Sequence, residues 1–187
     1  EAELFARKAI ELKSDLAHAH SNLGSILKDL GNLKEAELSQ RKAIQINPDF
    51  AEAHYNLGNT LKDLGKLKEA ELSTRKAIQI KPDYAEGHLN LGNILNDLGK
   101  LKEAELSYRK AIKLQPDAIK AAWNLYGLAN NIQEAEERIS QCLKINQNYL
   151  NANLTLSALK LHQGDQSLFN KLIESTHKDH PYMRSFK

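Results

Sequence analysis

The feature that most constrains this chain is that it repeats itself. Residues 17–50, 51–84 and 85–118 align without a gap, the first two sharing 26 of 34 positions and the last two 25 of 34. A sequence with a fixed period of this length predicts identical supersecondary units stacked in a row. Residues 1–16 read as the second half of an earlier unit, closing in Lys13-Ser14-Asp15 where the next closes in Asn47-Pro48-Asp49. Beyond residue 118 the pattern decays. Residues 119–148 form a shortened, degenerate unit aligned by Ala135, Cys142 and Ile145, and 149–177 a degenerate closing unit aligned by Gly164-Asp165. Residues 178–187 fit no unit and read as a tail or linker. The chain opens mid-unit and without Met, so we expect it to be a piece of a longer protein.

Within 51–84 the apolar residues fall in two sets, Leu57, Leu61 and Leu64, then Leu67, Ala70, Ala77, Ile78 and Ile80. Each set has the spacing of one helix face. Gly65 stands between them and suits the left-handed residue that ends a helix. Pro82 stops the second helix, since the residue before a proline avoids helical angles. One such hairpin cannot bury its own apolar stripe, whereas stacked neighbours can. The fold expected is therefore all-α, a solenoid of antiparallel helical hairpins.

These residues carry a family likeness. Leu57-Gly58, Leu61, Ala70, Ala77 and Pro82 resemble the signature of the tetratricopeptide repeat. So do Leu23-Gly24, Leu27, Ala36, Ala43 and Pro48, and Leu91-Gly92, Leu95, Ala104, Ala111 and Pro116. The resemblance implies a right-handed superhelix whose first helices line a concave groove. It departs from the family at the aromatic positions: His20, His54 and His88 replace one, and Gln40 and Thr74 the other, leaving only Tyr108.

A helical wheel places six positions of each first helix opposite its apolar arc. Two columns are invariant among the three units, Asn22/Asn56/Asn90 and Asp29/Asp63/Asp97. Beside them stand Tyr55, Asn59, Asn93, Lys28 and Lys62. An asparagine amide offers the acceptor and donors that match one peptide unit. Helices roughly 10 Å apart would let one asparagine per unit hold about every third residue of an extended guest, at about 3.3 Å per residue. The column resembles the asparagine ladder of O-linked N-acetylglucosamine transferases, with Asn124 as a possible continuation. The alternative is that these amides bond local backbone. The family's other recognition mode, a cationic clamp for C-terminal carboxylates, is absent: Ser21, Tyr55 and Leu89, and His18, Glu52 and Glu86, stand where it needs lysine or arginine.

Other columns read as structural. His20, His54 and His88 are one hairpin apart, too far for ligands that must each approach one zinc within about 2.1 Å. The pairs Arg7-Lys8, Arg41-Lys42, Arg75-Lys76 and Arg109-Lys110 face outward, but Glu3, Glu37, Glu71 and Glu105 precede the arginines by one helical turn, which predicts self-neutralisation. Leu4, Leu38, Leu72 and Leu106 lie nearly opposite the apolar arc of the second helix, so the wheel exposes them as a regular outer strip.

Lys plus Arg number 26 against 24 Asp plus Glu, without the basic excess of a nucleic-acid binder. No apolar run reaches the roughly 18 residues of a membrane span. Cys142 is the only cysteine, which excludes a disulfide framework and points to a reducing, cytoplasmic setting. No nucleophile–base pair or phosphate cradle stands out, so neither catalysis nor a cofactor or metal is expected. The function expected is a protein-interaction scaffold that binds an extended peptide or partner protein along the groove. The alternative is a substrate-recruiting or dimerising module of a larger transferase. Residues 1–16 have also lost the first helix of their own hairpin, which predicts self-association through the N-terminal edge. At the other end Leu168, Phe169, Leu172 and Ile173 suit a closing helix.

Overall fold

The computed structural model describes residues 1–165 and Ser167, and these are helices and turns without a strand. The residues expected to form the closing helix, Leu168 to Ile173, and the tail lie outside them. The chain divides into two compact units, Glu1–Gln115 and Pro116–Lys187.

The first unit contains α1 (Ala2–Leu12), α2 (Ala17–Asp29), α3 (Leu33–Ile46), α4 (Ala51–Asp63), α5 (Leu67–Ile80), α6 (Ala85–Asp97) and α7 (Leu101–Leu114). Helices α2/α3, α4/α5 and α6/α7 form hairpins, and each hairpin packs on the next. The hairpin turns are set by Gly31, Gly65 and Gly99, with φ of 81°, 74° and 73°. Only glycine takes this left-handed conformation without strain. It lets the following amide donate to a carbonyl five residues back, Lys66 to Leu61 and Lys100 to Leu95, both at 2.8 Å, so the helix ends with its last carbonyls satisfied.

The core lies between hairpins. Leu57, Leu61 and Ala70 of one hairpin cluster with Ile94 of the next, covered by Ile44 and Leu98. Leu23, Leu27 and Ala36 form the equivalent cluster, capped by Ala6 and Ile10 of α1. No hairpin encloses its own stripe, which is why a single unit would not be stable. The paired helices approach where glycine removes a side chain: a methyl on Gly92 would overlap the Tyr108 ring. Where the family aromatic is missing, Gln40 fills the space, fully buried, with neither amide atom hydrogen-bonded.

The histidine column explains itself in the turns between hairpins. His20, His54 and His88 each direct Nε2 at a carbonyl six residues back, Ser14, Pro48 and Pro82, at 3.0, 2.9 and 3.1 Å. An aromatic ring without a nitrogen could pack there but could not hold the turn. Among the described residues no group of His, Cys, Asp and Glu is arranged to hold a metal ion.

The second unit comprises α8 (Ile119–Tyr126), α9 (Ile132–Ile145) and α10 (Leu150–His162). Its first helix is shorter, at 8 residues, and the turn after it is closed differently. Gly127 stays right-handed (φ −59°), and Asn131 instead accepts the Glu134 amide at 2.9 Å while Glu134 accepts the Asn130 amide at 2.9 Å. This reciprocal cap satisfies the start of α9 and takes the place of the glycine turn. Arg138 is buried, donating to the Leu125 carbonyl and pairing with Glu134. Cys142 is fully buried, and burial pushes its thiol up to about 11, so it stays protonated and inert.

Candidate functional site

Within the first unit α2 packs on α4 and α4 on α6, while α3, α5 and α7 make no comparable approach to one another. The first helices therefore approach one another more closely than the second helices do, and they share one surface. The asparagine column lies at this seam, but its three members have different environments. Asn22 is exposed, Asn56 half-buried and Asn90 buried. Asn56 donates to the Ser21 hydroxyl of the preceding hairpin at 3.2 Å. For Asn90 the position equivalent to Ser21 is Tyr55, and the amide donates instead to the Thr74 hydroxyl on α5, at 3.4 Å.

Asn90 thus corrects the wheel, which left it open to solvent: it is 4% exposed, and Ser21 of α2 is 1% exposed. The reason is that a wheel treats a helix in isolation, whereas here the neighbouring first helix covers that flank. Asn59 and Asn93 are half-buried, and Asn93 accepts the Tyr108 hydroxyl at 3.0 Å. Lys28 reaches Asp29 at 3.4 Å and Asp63 of the next hairpin at 3.9 Å, and Lys62 lies 4.0 Å from Asp63. Asp29, Asp63 and Asp97 all remain exposed.

Two aromatic pairs that a wheel does not reveal flank the seam. Tyr55 and Tyr84 stack at a tilt with ring centroids 5.0 Å apart, and His18 and Phe50 do so at 4.5 Å. Lys81 lies 4.8 Å from the Tyr84 ring centre, and burial raises the Tyr84 phenol well above its ordinary pKa. Phe50 and Tyr84 occupy the same position in successive units, one residue before a first helix. That shared position was the available signal.

The outer arginines behave as the sequence predicts. Arg7, Arg41 and Arg75 pair with Glu3, Glu37 and Glu71 on their own helices at 2.8–2.9 Å. Each also crosses to the next hairpin, reaching Glu35, Glu69 and Glu103 at 3.1, 2.8 and 2.7 Å. Lys66 and Lys100 return the bridge to Glu37 and Glu71, both at 2.8 Å. This is a continuous lattice in which each of these arginines is paired with carboxylates. No described helix is long and apolar enough to cross a membrane.

A repeating helical hairpin with a glycine-closed turn and a core shared between neighbours defines the class: a helical-repeat solenoid. The sequence matches the TPR repeat family over residues 24–65 and the Tetratricopeptide repeat family over 51–84 and 85–118. The chain belongs to the tetratricopeptide repeat family. No curated protein matches it in sequence. Among solved structures it resembles MamA, with 21% identity over 78% of this chain and 87% of that one, at a TM-score of 0.71. It also resembles YrrB, described as a TPR protein with an unusual peptide-binding site, with 19% identity over 94% and 92% and a TM-score of 0.70. A mutant of the Thermobaculum terrenum O-GlcNAc transferase aligns at 24% identity over 68% of this chain but 26% of that one, at a TM-score of 0.64.

Proposed function

We propose that this chain is a scaffold for recognition rather than catalysis, and that its inner face holds an extended peptide or a segment of a partner protein. One observation carries the reading. Three first helices converge on a single surface and set along it an open amide at Asn22, a half-open one at Asn56, and aromatic pairs beside them. Amides can bond a guest's backbone whatever its sequence, while tilted rings offer apolar area at low entropic cost. The likeness to YrrB supports the peptide and the likeness to MamA the fold that presents it. The lone, buried cysteine fits a reducing, cytoplasmic setting.

The test is affinity capture with this chain as bait, followed by titration of the captured partner. Asn22→Ala with Asn56→Ala should weaken binding about tenfold, close to 1.4 kcal/mol, and should cost no more stability than the single Asn56–Ser21 hydrogen bond, about 1–3 kcal/mol. Unchanged affinity in a folded double variant would falsify the reading. A second reading, a recruiting module of a larger transferase, draws support from the alignment to part of an O-GlcNAc transferase.

A further inference from the structure

The outer surface carries a second feature that the inner face does not use. Leu4, Leu38, Leu72 and Leu106 are 68%, 68%, 70% and 68% exposed, one per second helix, at the same position each time. Scattered exposed leucines are ordinary; a periodic column is not. Nor do these side chains stand on a smooth surface. Because α3 and α5 stay apart while α4 fills the space behind them, an open groove of about 490 Å³ runs between the two. Its floor is Leu57 and Leu61 of α4, one wall is Ile44, and Leu72 overhangs the other with Lys76 one turn further along. The groove recurs one hairpin later, between α5 and α7, at about 390 Å³. There Leu91 is the floor, Ile78 a wall, and Leu106 and Lys110 take the places of Leu72 and Lys76.

The charges along these grooves choose the kind of partner. Arg41 and Arg75 line them but are each held by two carboxylates, and Glu69, the carboxylate in the first groove, is bound to Arg41. Lys76 and Lys110 have no ion-pair partner among the described residues. A basic segment would find no unpaired carboxylate on these walls. An acidic one would find an available ammonium beside each apolar trough. Each trough offers apolar area to one leucine-sized side chain, and two troughs filled together make a specific, reversible contact.

We propose that the outer grooves are a second docking surface, distinct from the inner face, for an acidic, leucine-bearing segment of a partner protein. One apolar side chain sits between Ile44 and Leu72 and the next between Ile78 and Leu106, with a carboxylate on Lys76 and another on Lys110. Neighbouring hairpins are roughly 10 Å apart, a distance that seven residues of helix cover at about 1.5 Å each. The fitting guest is therefore an amphipathic helix with leucines seven residues apart and a glutamate one turn from each.

A synthetic, fluorescein-labelled helix of that pattern is the probe, titrated into the full chain and followed by fluorescence polarisation. Saturable binding is expected, weakened at least tenfold by Lys76→Glu with Lys110→Glu and by Leu72→Glu with Leu106→Glu. Leu72, Leu106 and Lys110 are exposed and Lys76 half-buried, and circular dichroism verifies that the helices persist. A probe carrying lysine in place of glutamate should bind the lysine-to-glutamate variant at least tenfold better than it binds the wild type. Asn22→Ala with Asn56→Ala should leave probe binding unchanged, which separates this surface from the inner one. The proposal is overturned if the wild type does not bind the probe, or if neither outer variant alters binding. It is overturned equally if the wild type sediments as an oligomer that the lysine variant dissociates while the probe fails to bind, since the occupant is then a second copy of the chain.

Discussion

Asn22, Asn56 and Asn90 share one position in the repeat and serve three different ends. Asn22 is solvent-facing, Asn56 ties two hairpins together through Ser21, and Asn90 is buried against Thr74. Removing a partner from a buried hydrogen bond costs about 1–3 kcal/mol. Asn90→Ala should thus lower the unfolding free energy by about that much, while Asn22→Ala stays within roughly 0.5 kcal/mol, as surface changes do. Urea denaturation of the two single variants checks this, and equal costs would show that the seam does not differentiate them. The difference could not be read from the sequence, because it comes from the partner each amide meets in the packed array: Ser21 of the preceding hairpin for one, Thr74 of α5 for the other. The exposed leucines were legible for the converse reason, since among the described residues that side of the second helices stays open and the wheel alone decides.

At the level of elements, the hairpins were legible almost throughout, because glycine at the turn, proline after the second helix and two apolar stripes all act locally. The short α8 was less so. Its turn is closed by Asn131 and Glu134 in place of glycine, a solution with different spacing that shifts the frame. The second helices are also linked by charge in a way that pH can interrogate. The Lys66 ammonium, aided by Arg41 and opposed by burial, holds the Glu37 carboxyl below its ordinary value of 4.5. For Glu71 burial is the largest influence and acts upward, yet Lys100 and Arg75 together bring it below 4.5. A carboxyl with a lowered folded pKa stabilises above its unfolded pKa, and that contribution is lost as pH falls through the folded value. The melting temperature should therefore be insensitive to these groups near neutrality and begin to drop below pH 4.5. Glu37→Gln with Glu71→Gln should cost roughly 1 kcal/mol per site at neutral pH and flatten the acid limb. Thermal scans across that range decide it; an acid limb as steep in the double variant would assign the transition to other groups.

For the whole molecule, the two faces of α1 have opposite fates. Ala6 and Ile10 cap the core formed by Leu23, Leu27 and Ala36, while Phe5 and Leu12 are 70% and 83% exposed and no residue of the helix is buried. We expect reversible self-association through this edge. Sedimentation velocity should show the average mass rising with concentration, and Phe5→Lys with Leu12→Lys should abolish the rise. A monomer at every concentration would rule the edge out. The joints between hairpins have a further consequence. Arg41 meets Glu69 just as Arg75 meets Glu103, and Lys66 meets Glu37 just as Lys100 meets Glu71. Excise residues 51–84, and Arg41 faces Glu103, Lys100 faces Glu37 and His88 faces the Pro48 carbonyl, all with chemistry already in use. The sequence therefore encodes a rule of succession with no count attached. Copies can be gained or lost by duplication and deletion with these bridges and turn contacts kept, and the same interchangeability lets a nascent hairpin dock on the wrong neighbour while the array assembles.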